Sequence, residues 1–573
     1  MPTYRENYER WLEDSAVDPA TKAELAALTE EDEIRLRFDG YMRFGTGGLR
    51  AVMGAGSARM NLYTVAHATE GLARLILKAE DGPARGVAVC YDSRNHSKAF
   101  ARRAAEVLSA GGIRVYLFPE ARPTPVLSFA VRHLGCIAGI NVTASHNPAR
   151  YNGYKVYWED GGQLPPHHAD TVSREISRVD IFRDVPPPSL ARENLITVTD
   201  RALDDAYAVR VLEQSVSPEA IPAVADALAV VYTPLHGTGG SMVPRILRAA
   251  GLRRLYTVDA QMQPDGDFPT VAFPNPEFPE AFALGRQLAE DVGSDLIIAT
   301  DPDADRVGVM ARDKSGAFRC ITGNQMGALL LEYICTALQA EGGIPADAYA
   351  VKTIVTSELS ARICAAYGVK LYNVLTGFKF IGEIIRAHEE AGRGTYLLGF
   401  EESYGYLKGT YARDKDAVVT SLLICEMAAH FKAKNMTLID ALDALFEKYG
   451  QFREGVFSIA MEGVDGQAKM TDLMNQLRQS PPAALGTKKI ARIKDYKTQK
   501  EVDLQSGEVI PTGLPVSDVL CFVTEDESTA VIRPSGTEPK IKVYVLCCGD
   551  TREQADENVR LCTDAMRQLL NKP

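Results

Sequence analysis

The sequence predicts an α/β protein of four domains: three related α/β domains followed by a separate C-terminal α+β domain. Three observations predict it. The chain has 573 residues, too many for a single core. Three segments repeat one phrase of amphipathic helix, glycine and short strand. The residues from 449 onward lack that phrase.

The repeated phrases are "AAEVLSAGGIRVYLF" (104–118), "RILRAAGLRRLYTV" (245–258) and "SARICAAYGVKLYNV" (360–374). In each an apolar helical stripe ends near a glycine (Gly112, Gly251, Gly368), the residue that most readily closes a helix. A strand ending close to a tyrosine follows. A second echo, "FGTGGLR" (44–50) against "HGTGGSM" (236–242), also suggests related domains. The competing explanation is that helix–glycine–strand is common in any α/β protein. The expected bounds are 1–205, 206–318, 319–448 and 449–573. "VPPPS" (185–189) reads as a surface loop, and "RALDDAYAVRVLEQ" (201–214) as a helix bridging to the second domain. "QAEGGIPADAY" (339–349) reads as a loop within the third domain. "FEKYGQFREG" (446–455) is the expected joint to the fourth.

Composition excludes several classes. Hydrophobic residues make up 46% and charged residues 24%, ordinary for a globular protein. A net charge of −12 disfavours nucleic acid and anionic membrane surfaces. An anionic substrate would need its own local positive charge. The ten cysteines are scattered, as expected of free thiols in a reducing cytosol. The polar, acidic opening "MPTYRENYERWLED" does not have the form of a signal peptide. No stretch reads as a bilayer span, so the expected location is cytoplasmic.

Four loops carry polar chemistry. In "CIAGINVTASHNP" a buried strand delivers Ser145 and His146 to a turn. A serine hydrolase would want a G-x-S-x-G elbow, which is missing. A phosphoryl-carrying serine remains open, as does a turn in which Ser145 and Asn147 only make local hydrogen bonds. In "SDLIIATDPDADRVGVMA" (294–311) two apolar runs flank Asp301, Asp303 and Asp305. Three alternating carboxylates converge on one side of an extended loop and repel unless a cation sits among them, and oxygen-only donors suit Mg²⁺. An EF-hand would need Gly and Glu where this chain has Arg306 and Arg312. A solvated acidic turn is the other reading, disfavoured by the buried strands on either side.

In "TYLLGFEESYGYL" (395–407) a strand ends in Glu401, Glu402 and Ser403, which can accept hydrogen bonds from sugar hydroxyls, with Tyr404 or Tyr406 offering a ring face. A plain surface loop reads equally well from the residues. Upstream, "LTGFKFIGE" (375–383) offers a glycine turn beside Lys379. In "AVIRPSGTEPKIKVYVL" (530–546) a hairpin turn presents Arg533, Ser535, Gly536 and Thr537. A fork-shaped cation, two hydroxyls and a glycine make a phosphate cradle, or a simple turn. Taken together, the loops specify a hydroxyl, a divalent metal, a polyol reader and a phosphate clamp. That combination suits phosphoryl transfer between a protein serine and a phosphorylated sugar.

At these residues the sequence resembles the α-D-phosphohexomutase superfamily, in its phosphoglucomutase/phosphopentomutase branch. "TASHNP" resembles the phosphoserine loop, "DPDADR" the metal loop, "GFEESYG" the sugar loop and "RPSGTEP" the phosphate loop, all in family order. The resemblance implies four domains around a central cleft, three α/β with mixed sheets and one α+β. It implies a phosphate carried on Ser145, which completes a Mg²⁺ site with Asp301, Asp303 and Asp305. It implies isomerisation of glucose 1-phosphate and glucose 6-phosphate through glucose 1,6-bisphosphate.

The same resemblance assigns catalytic roles to Lys155, His146, Arg50 and Lys415, the last with an ion pair inside "RDKD" as the alternative. It assigns substrate binding to Arg306, Thr376, Gly377, Lys379, Glu401, Ser403, Arg533, Ser535, Gly536 and Thr537. Arg94 and Arg306 are expected to brace the serine and metal loops. A phosphopentomutase or phosphomannomutase would share every catalytic residue and differ in the sugar-reading loops. A Mg²⁺-dependent sugar phosphatase is the alternative of another class. The expected partner is a small phosphosugar, with no nucleic acid and no membrane, in a monomer or a dimer.

Overall fold

The computed structural model describes residues 3–42, 44–45, 48–461, 466–535 and 540–570. The chain divides into two compact units. One comprises Met1–Gly323, Gly382–Leu398 and Ser403–Leu438; the other comprises Asn324–Ile381, Gly399–Glu402 and Ile439–Pro573.

In the first unit the strand Val87–Tyr91 pairs in parallel with Val115–Leu117 and with Ala138–Val142. Tyr151–Trp158 then returns antiparallel to Ala138–Val142, and Gly48–Val52 pairs antiparallel beyond it. Every residue of Val87–Tyr91 and of Ala138–Val142 is buried, which explains why both read as unbroken apolar runs rather than alternating ones. A second sheet repeats the plan. Ala229–Thr233 lies parallel to Arg254–Thr257 and Leu296–Thr300, and Val307–Arg312 returns antiparallel to Leu296–Thr300. Both sheets are therefore mixed. In each, a buried strand runs into a polar loop and folds back on itself, and those two loops are "TASHNP" and "DPDADR".

The three helix–glycine–strand phrases are real elements. The helices Ser97–Ala110, Gly239–Ala249 and Leu359–Tyr367 lead to the strands Val115–Leu117, Arg254–Thr257 and Lys370–Val374. Gly112, Gly251 and Gly368 have φ of 83°, 96° and 68°, the left-handed turn that glycine makes without strain. Thr46 and Gly47 of the other echo lie outside the described residues, and the glycine that is described differs in setting. "HGTGGSM" opens the helix Gly239–Ala249, whereas Gly48 starts the strand Gly48–Val52. Gly48 is there for a close crossing: a Cβ on it would sit 1.9 Å from the Tyr154 carbonyl oxygen.

In the second unit Ala348–Thr353 and Lys370–Val374 pair in parallel. The C-terminal part is an antiparallel sheet with Thr529–Pro534 at its middle, hydrogen-bonded on one side to Leu520–Thr524 and on the other to Lys540–Gly549. The helices Gly466–Gln479 and Arg552–Leu570 put Met470, Met474, Cys562 and Met566 into its core. This is the expected α+β domain. The joint at "FEKYGQFREG" is abrupt: the helix Leu438–Tyr449 and the strand Gln451–Ala460 are separated by Gly450 alone, at φ 101°. Among the described residues no helix is long and apolar enough to cross a membrane.

Candidate active site

Ser145 lies just past the buried strand Ala138–Val142, at φ 52°. That conformation is costly for a residue with a Cβ and persists only when its surroundings impose it. The imposing group is Arg94, which is 3% exposed. Its guanidinium donates to the carbonyls of Ser145 and Asn147, and to those of Pro148 at 3.0 Å and Tyr151 at 3.1 Å. Asp92, also buried, lies 3.3 Å from Arg94 Nε, and the guanidinium stands over the Phe268 ring at 5.1 Å. Thr143 Oγ1 accepts the Ser145 backbone N–H at 2.8 Å. Arg50 donates to Asn147 Oδ1 at 2.9 Å.

Asp301, Asp303 and Asp305 are all buried, and their ligand atoms converge to within 4.8 Å of one another. Ala304, between two of them, takes φ 49° to turn the loop. Each carboxylate has one oxygen held by protein donors. Asp301 Oδ1 accepts the backbone N–H groups of Asp305 and Arg306 at 3.1 and 3.0 Å. Asp303 Oδ2 accepts from Thr124 Oγ1 at 2.8 Å and Lys155 Nζ at 2.7 Å. Asp305 Oδ2 is 3.3 Å from both Lys155 Nζ and Lys415 Nζ.

The opposite oxygens are left for something else. Asp303 Oδ1 and Asp305 Oδ1 are buried with no hydrogen-bond partner, and Asp301 Oδ2 accepts from Ser145 Oγ at 2.8 Å. Burial, then the charges of Asp303 and Asp305, push the Asp301 carboxyl well above its ordinary range. Burial works to raise Asp303 as well, but the Lys155 charge, together with hydrogen bonds from Lys155, Asp301 and Thr124, holds that carboxyl below its ordinary range. A hard divalent cation fits this donor set: it relieves the repulsion and gives the two orphaned oxygens a partner.

Two lysines and an imidazole surround the trio. Burial alone would lower the Lys155 ammonium, but Asp303 and Asp305 more than compensate and its pKa is raised. Lys415 makes the ion pair expected within "RDKD", to Asp414 Oδ1 at 2.9 Å, and adds the contact to Asp305. Its stem runs against Gly405, where a Cβ would lie 2.0 Å from Lys415 Cδ. His146 Nδ1 is 3.2 Å from Ser145 Oγ. Burial, with help from Arg306 and Arg50, holds the imidazole well below its ordinary pKa. Arg306 pairs with Glu277 through its side chain and donates its backbone N–H to Asp301 Oδ1 at 3.0 Å. Ser403 belongs to this unit too, beside Tyr404 at φ 66°.

The remaining loops lie in the second unit. Gly377, at φ 124°, donates its N–H to Glu401 Oε1 at 2.9 Å. Thr376 Oγ1 is buried with no hydrogen-bond partner, and Lys379 Nζ sits over the Phe380 ring at 4.9 Å. Burial, then the charge of Glu401, push the Glu402 carboxyl up to about 7. Arg533 donates to Tyr544 OH at 3.2 Å, while its Nε is buried and has no hydrogen-bond partner. Ser535 N donates to the Lys540 carbonyl at 2.8 Å. Gly536 and Thr537 lie outside the described residues.

The structure thus gathers Ser145, His146, Lys155, Lys415 and the aspartate trio into one cluster, with Arg50 reaching its rim through Asn147. It also pairs Gly377 with Glu401. Sequence reasoning missed Thr124, which carries no motif of its own, and did not single out Asp92 as the partner of Arg94.

Against this geometry the comparisons with known proteins agree. Four family descriptions match in order: phosphoglucomutase/phosphomannomutase α/β/α domain I at residues 41–181, domain II at 205–316, domain III at 322–449 and the C-terminal domain at 470–562. The chain belongs to the phosphoglucomutase/phosphomannomutase family. It is an enzyme, an intramolecular phosphotransferase of the isomerase class. A phosphoglucomutase of Staphylococcus epidermidis is 38% identical over 506 residues, 88% of this chain and 90% of the relative. One from Staphylococcus haemolyticus is 34% identical over 563 residues, 97% and 98% of the two chains. Among solved structures, the open form of Paramecium parafusin, a phosphoglucomutase, has a TM-score of 0.66 at 18% identity, covering 92% of this chain and 96% of that one. A family protein from Burkholderia thailandensis has a TM-score of 0.63 at 18%, with 92% and 96% covered. These two likenesses concern the fold.

Proposed function

We propose that the enzyme interconverts α-D-glucose 1-phosphate and glucose 6-phosphate, with Ser145 as the phosphoryl carrier and glucose 1,6-bisphosphate as the intermediate. The observation that carries this reading is the 2.8 Å contact from Ser145 Oγ to Asp301 Oδ2, which places a strained, braced hydroxyl on a carboxylate trio. The naming of relatives at 34–38% identity as phosphoglucomutases supports the sugar. One distant fold neighbour, an Aspergillus fumigatus N-acetylphosphoglucosamine mutase variant, is in complex with glucose 1,6-bisphosphate.

Asp301, Asp303 and Asp305 would hold Mg²⁺ together with the Ser145 phosphate. When bound, the ion neutralises phosphoryl oxygens and makes the phosphorus more electrophilic. The chain's own groups handle the protons. The 6-hydroxyl of glucose 1-phosphate attacks the phosphorus; its bond to that hydroxyl oxygen forms as the bond to Ser145 Oγ breaks. His146, neutral because its pKa is depressed, accepts the proton of the attacking hydroxyl. Lys155, held protonated by Asp303 and Asp305, returns a proton to Ser145 Oγ. After the bisphosphate turns over, the reverse transfer returns its 1-phosphate to Ser145. Arg50, tied to Asn147, steadies the transferring group, and Lys415 keeps Asp305 in place.

In the second unit Glu401 and its tether Gly377, with Thr376 and Lys379, read the sugar; Ser403, in the first unit, is assigned the same role by its place in the loop that follows Glu401. Arg533, Ser535, Gly536 and Thr537 take the phosphate that is not being transferred. The bounds 1–205, 206–318, 319–448 and 449–573 give each domain one loop, and the four family matches support that division.

The test supplies Mg²⁺, a trace of glucose 1,6-bisphosphate, and glucose 1-phosphate, mannose 1-phosphate or ribose 1-phosphate in turn, comparing kcat/KM. Preference for glucose 1-phosphate without phosphate release is expected. Preference for ribose or mannose 1-phosphate would move the enzyme to another sugar. Phosphate release without isomerisation would make it a phosphatase. Ser145→Ala should lose turnover by orders of magnitude with its fold intact, and near-normal turnover would sink the phosphoserine.

A further inference from the structure

A threonine far from every motif holds one oxygen of Asp303. Thr124 opens the helix Thr124–His133 in the first sheet's domain and is fully buried. It touches the metal loop twice: its backbone N–H donates to the Asp303 carbonyl at 2.8 Å and its hydroxyl to Asp303 Oδ2 at 2.8 Å. Asn141, on the buried strand Ala138–Val142, donates its amide N–H to Thr124 Oγ1 at 2.8 Å.

The direction of the chain of bonds follows from donor counting. A hydroxyl has one proton and two acceptor sites. Asn141 fills an acceptor site of Thr124, and Asp303 Oδ2, which faces the Lys155 ammonium at 2.7 Å, is an acceptor. The Thr124 hydroxyl therefore keeps its proton and points it at Asp303 Oδ2, which accepts the hydrogen bond. With Lys155 Nζ also donating to that oxygen, Oδ2 is committed and the carboxylate plane is fixed. Oδ1, which is buried with no hydrogen-bond partner, is the oxygen left for a cation.

We infer that Thr124, oriented by Asn141, is a positioning residue for the metal site: it presents Asp303 Oδ1 to the cation. The inference rests on the metal reading of the aspartate trio above. Lys155 alone does not do the same job, because a rotatable ammonium shared with Asp305 constrains no plane, whereas a buried hydroxyl held at both ends does.

The test is direct binding of Mn²⁺, as a surrogate for Mg²⁺, to the full-length enzyme by titration calorimetry or electron paramagnetic resonance, without sugar. Thr124→Val keeps the shape and removes the proton; Thr124→Ser keeps the hydroxyl. Loss of an outer-shell partner of this kind weakens metal binding by about 10–100-fold. That loss is expected in Thr124→Val, with binding largely retained in Thr124→Ser. Asn141→Ala, which leaves Thr124 in place, should weaken binding in the same direction by a smaller factor.

Wild-type affinity in Thr124→Val overturns the inference. So does an equal loss in Thr124→Ser, because the hydroxyl would then not be the cause. If Thr124→Val does not fold, Asn141→Ala carries the test, and unchanged affinity there overturns the inference. A wild-type enzyme that binds no Mn²⁺ would sink the metal reading and this inference together. One that binds Mn²⁺ but does not isomerise glucose phosphates would sink only the sugar assignment.

Discussion

Lys155 and Asp303 form a buried ion pair, Nζ to Oδ2 at 2.7 Å, with side chains 12% and 0% exposed. Lys155 serves Asp305 as well, at 3.3 Å. Without a bound cation it is a principal counter-charge to the trio. Lys155→Met should therefore destabilise the metal-free protein by about 3–5 kcal/mol, the usual cost of stripping one partner from a buried pair. Mg²⁺ should recover part of that loss by supplying positive charge at the same carboxylates. Denaturant unfolding in EDTA and in Mg²⁺ measures both. A variant as stable as wild type in EDTA would show that Lys155 does not balance this charge.

Gly405 is a packing requirement of Lys415. A Cβ there would lie 2.0 Å from Lys415 Cδ, on a side chain that is 8% exposed and held at its tip by Asp305 and Asp414. The lysine has no room to yield without releasing a carboxylate. Gly405→Ala should cost about 1–3 kcal/mol of stability. It should also lower kcat by about tenfold or more through misplacement of the cluster. Thermal melting and steady-state kinetics check both, and unchanged kcat would remove Lys415 from the working geometry.

The parts of this site legible in the sequence are those whose chemistry is local. Asp301, Asp303 and Asp305 alternate within five residues, so residue type and spacing announce a cation site before any fold is known. Gly112, Gly251 and Gly368 betray their helix ends because a left-handed turn is a property of one residue. Thr124 could not be found this way. It is 179 positions from Asp303, and only the packing of a helix start against the metal loop brings them together. The "GTGG" echo misled for a related reason. The last glycine of the phrase serves a strand crossing at Gly48 and lies in the first turn of a helix at Gly240, and the letters carry no φ.

Arg533 offers a test of the phosphate loop that does not depend on the serine. Its Nε is buried with no hydrogen-bond partner, and among the described residues Nη2 donates to the neutral Tyr544 hydroxyl. A phosphate oxygen pair would complete its fork. Arg533→Lys keeps the charge but loses the two-pronged geometry, so KM for glucose 1-phosphate should rise about tenfold, near 1.4 kcal/mol. The rate of phosphoryl transfer from Ser145 in a single turnover at saturating sugar should change far less. An unchanged KM would remove Arg533 from substrate binding.

Glu402 gives the pH prediction. Burial and the neighbouring Glu401 charge push its carboxyl up to about 7 in the folded protein, from an ordinary value of 4.5. The native state then holds a proton that the unfolded chain has already lost across pH 4.5 to 7. Stability falls with pH wherever the native state binds more protons. The contribution of Glu402 is thus fully present below about pH 4.5, declines as pH rises, and is lost above about 7. Thr353 Oγ1 at 3.3 Å and the positive charges of Lys542 and Arg533 offset part of the cost of ionisation. The net change should be of order 1–3 kcal/mol. Glu402→Gln, which cannot ionise, should lack this component, so its stability relative to wild type should climb between pH 4.5 and 7 and then level off. Urea unfolding of both proteins at half-unit intervals measures the difference. A difference that stays flat across that range would place the Glu402 carboxyl at its ordinary pKa.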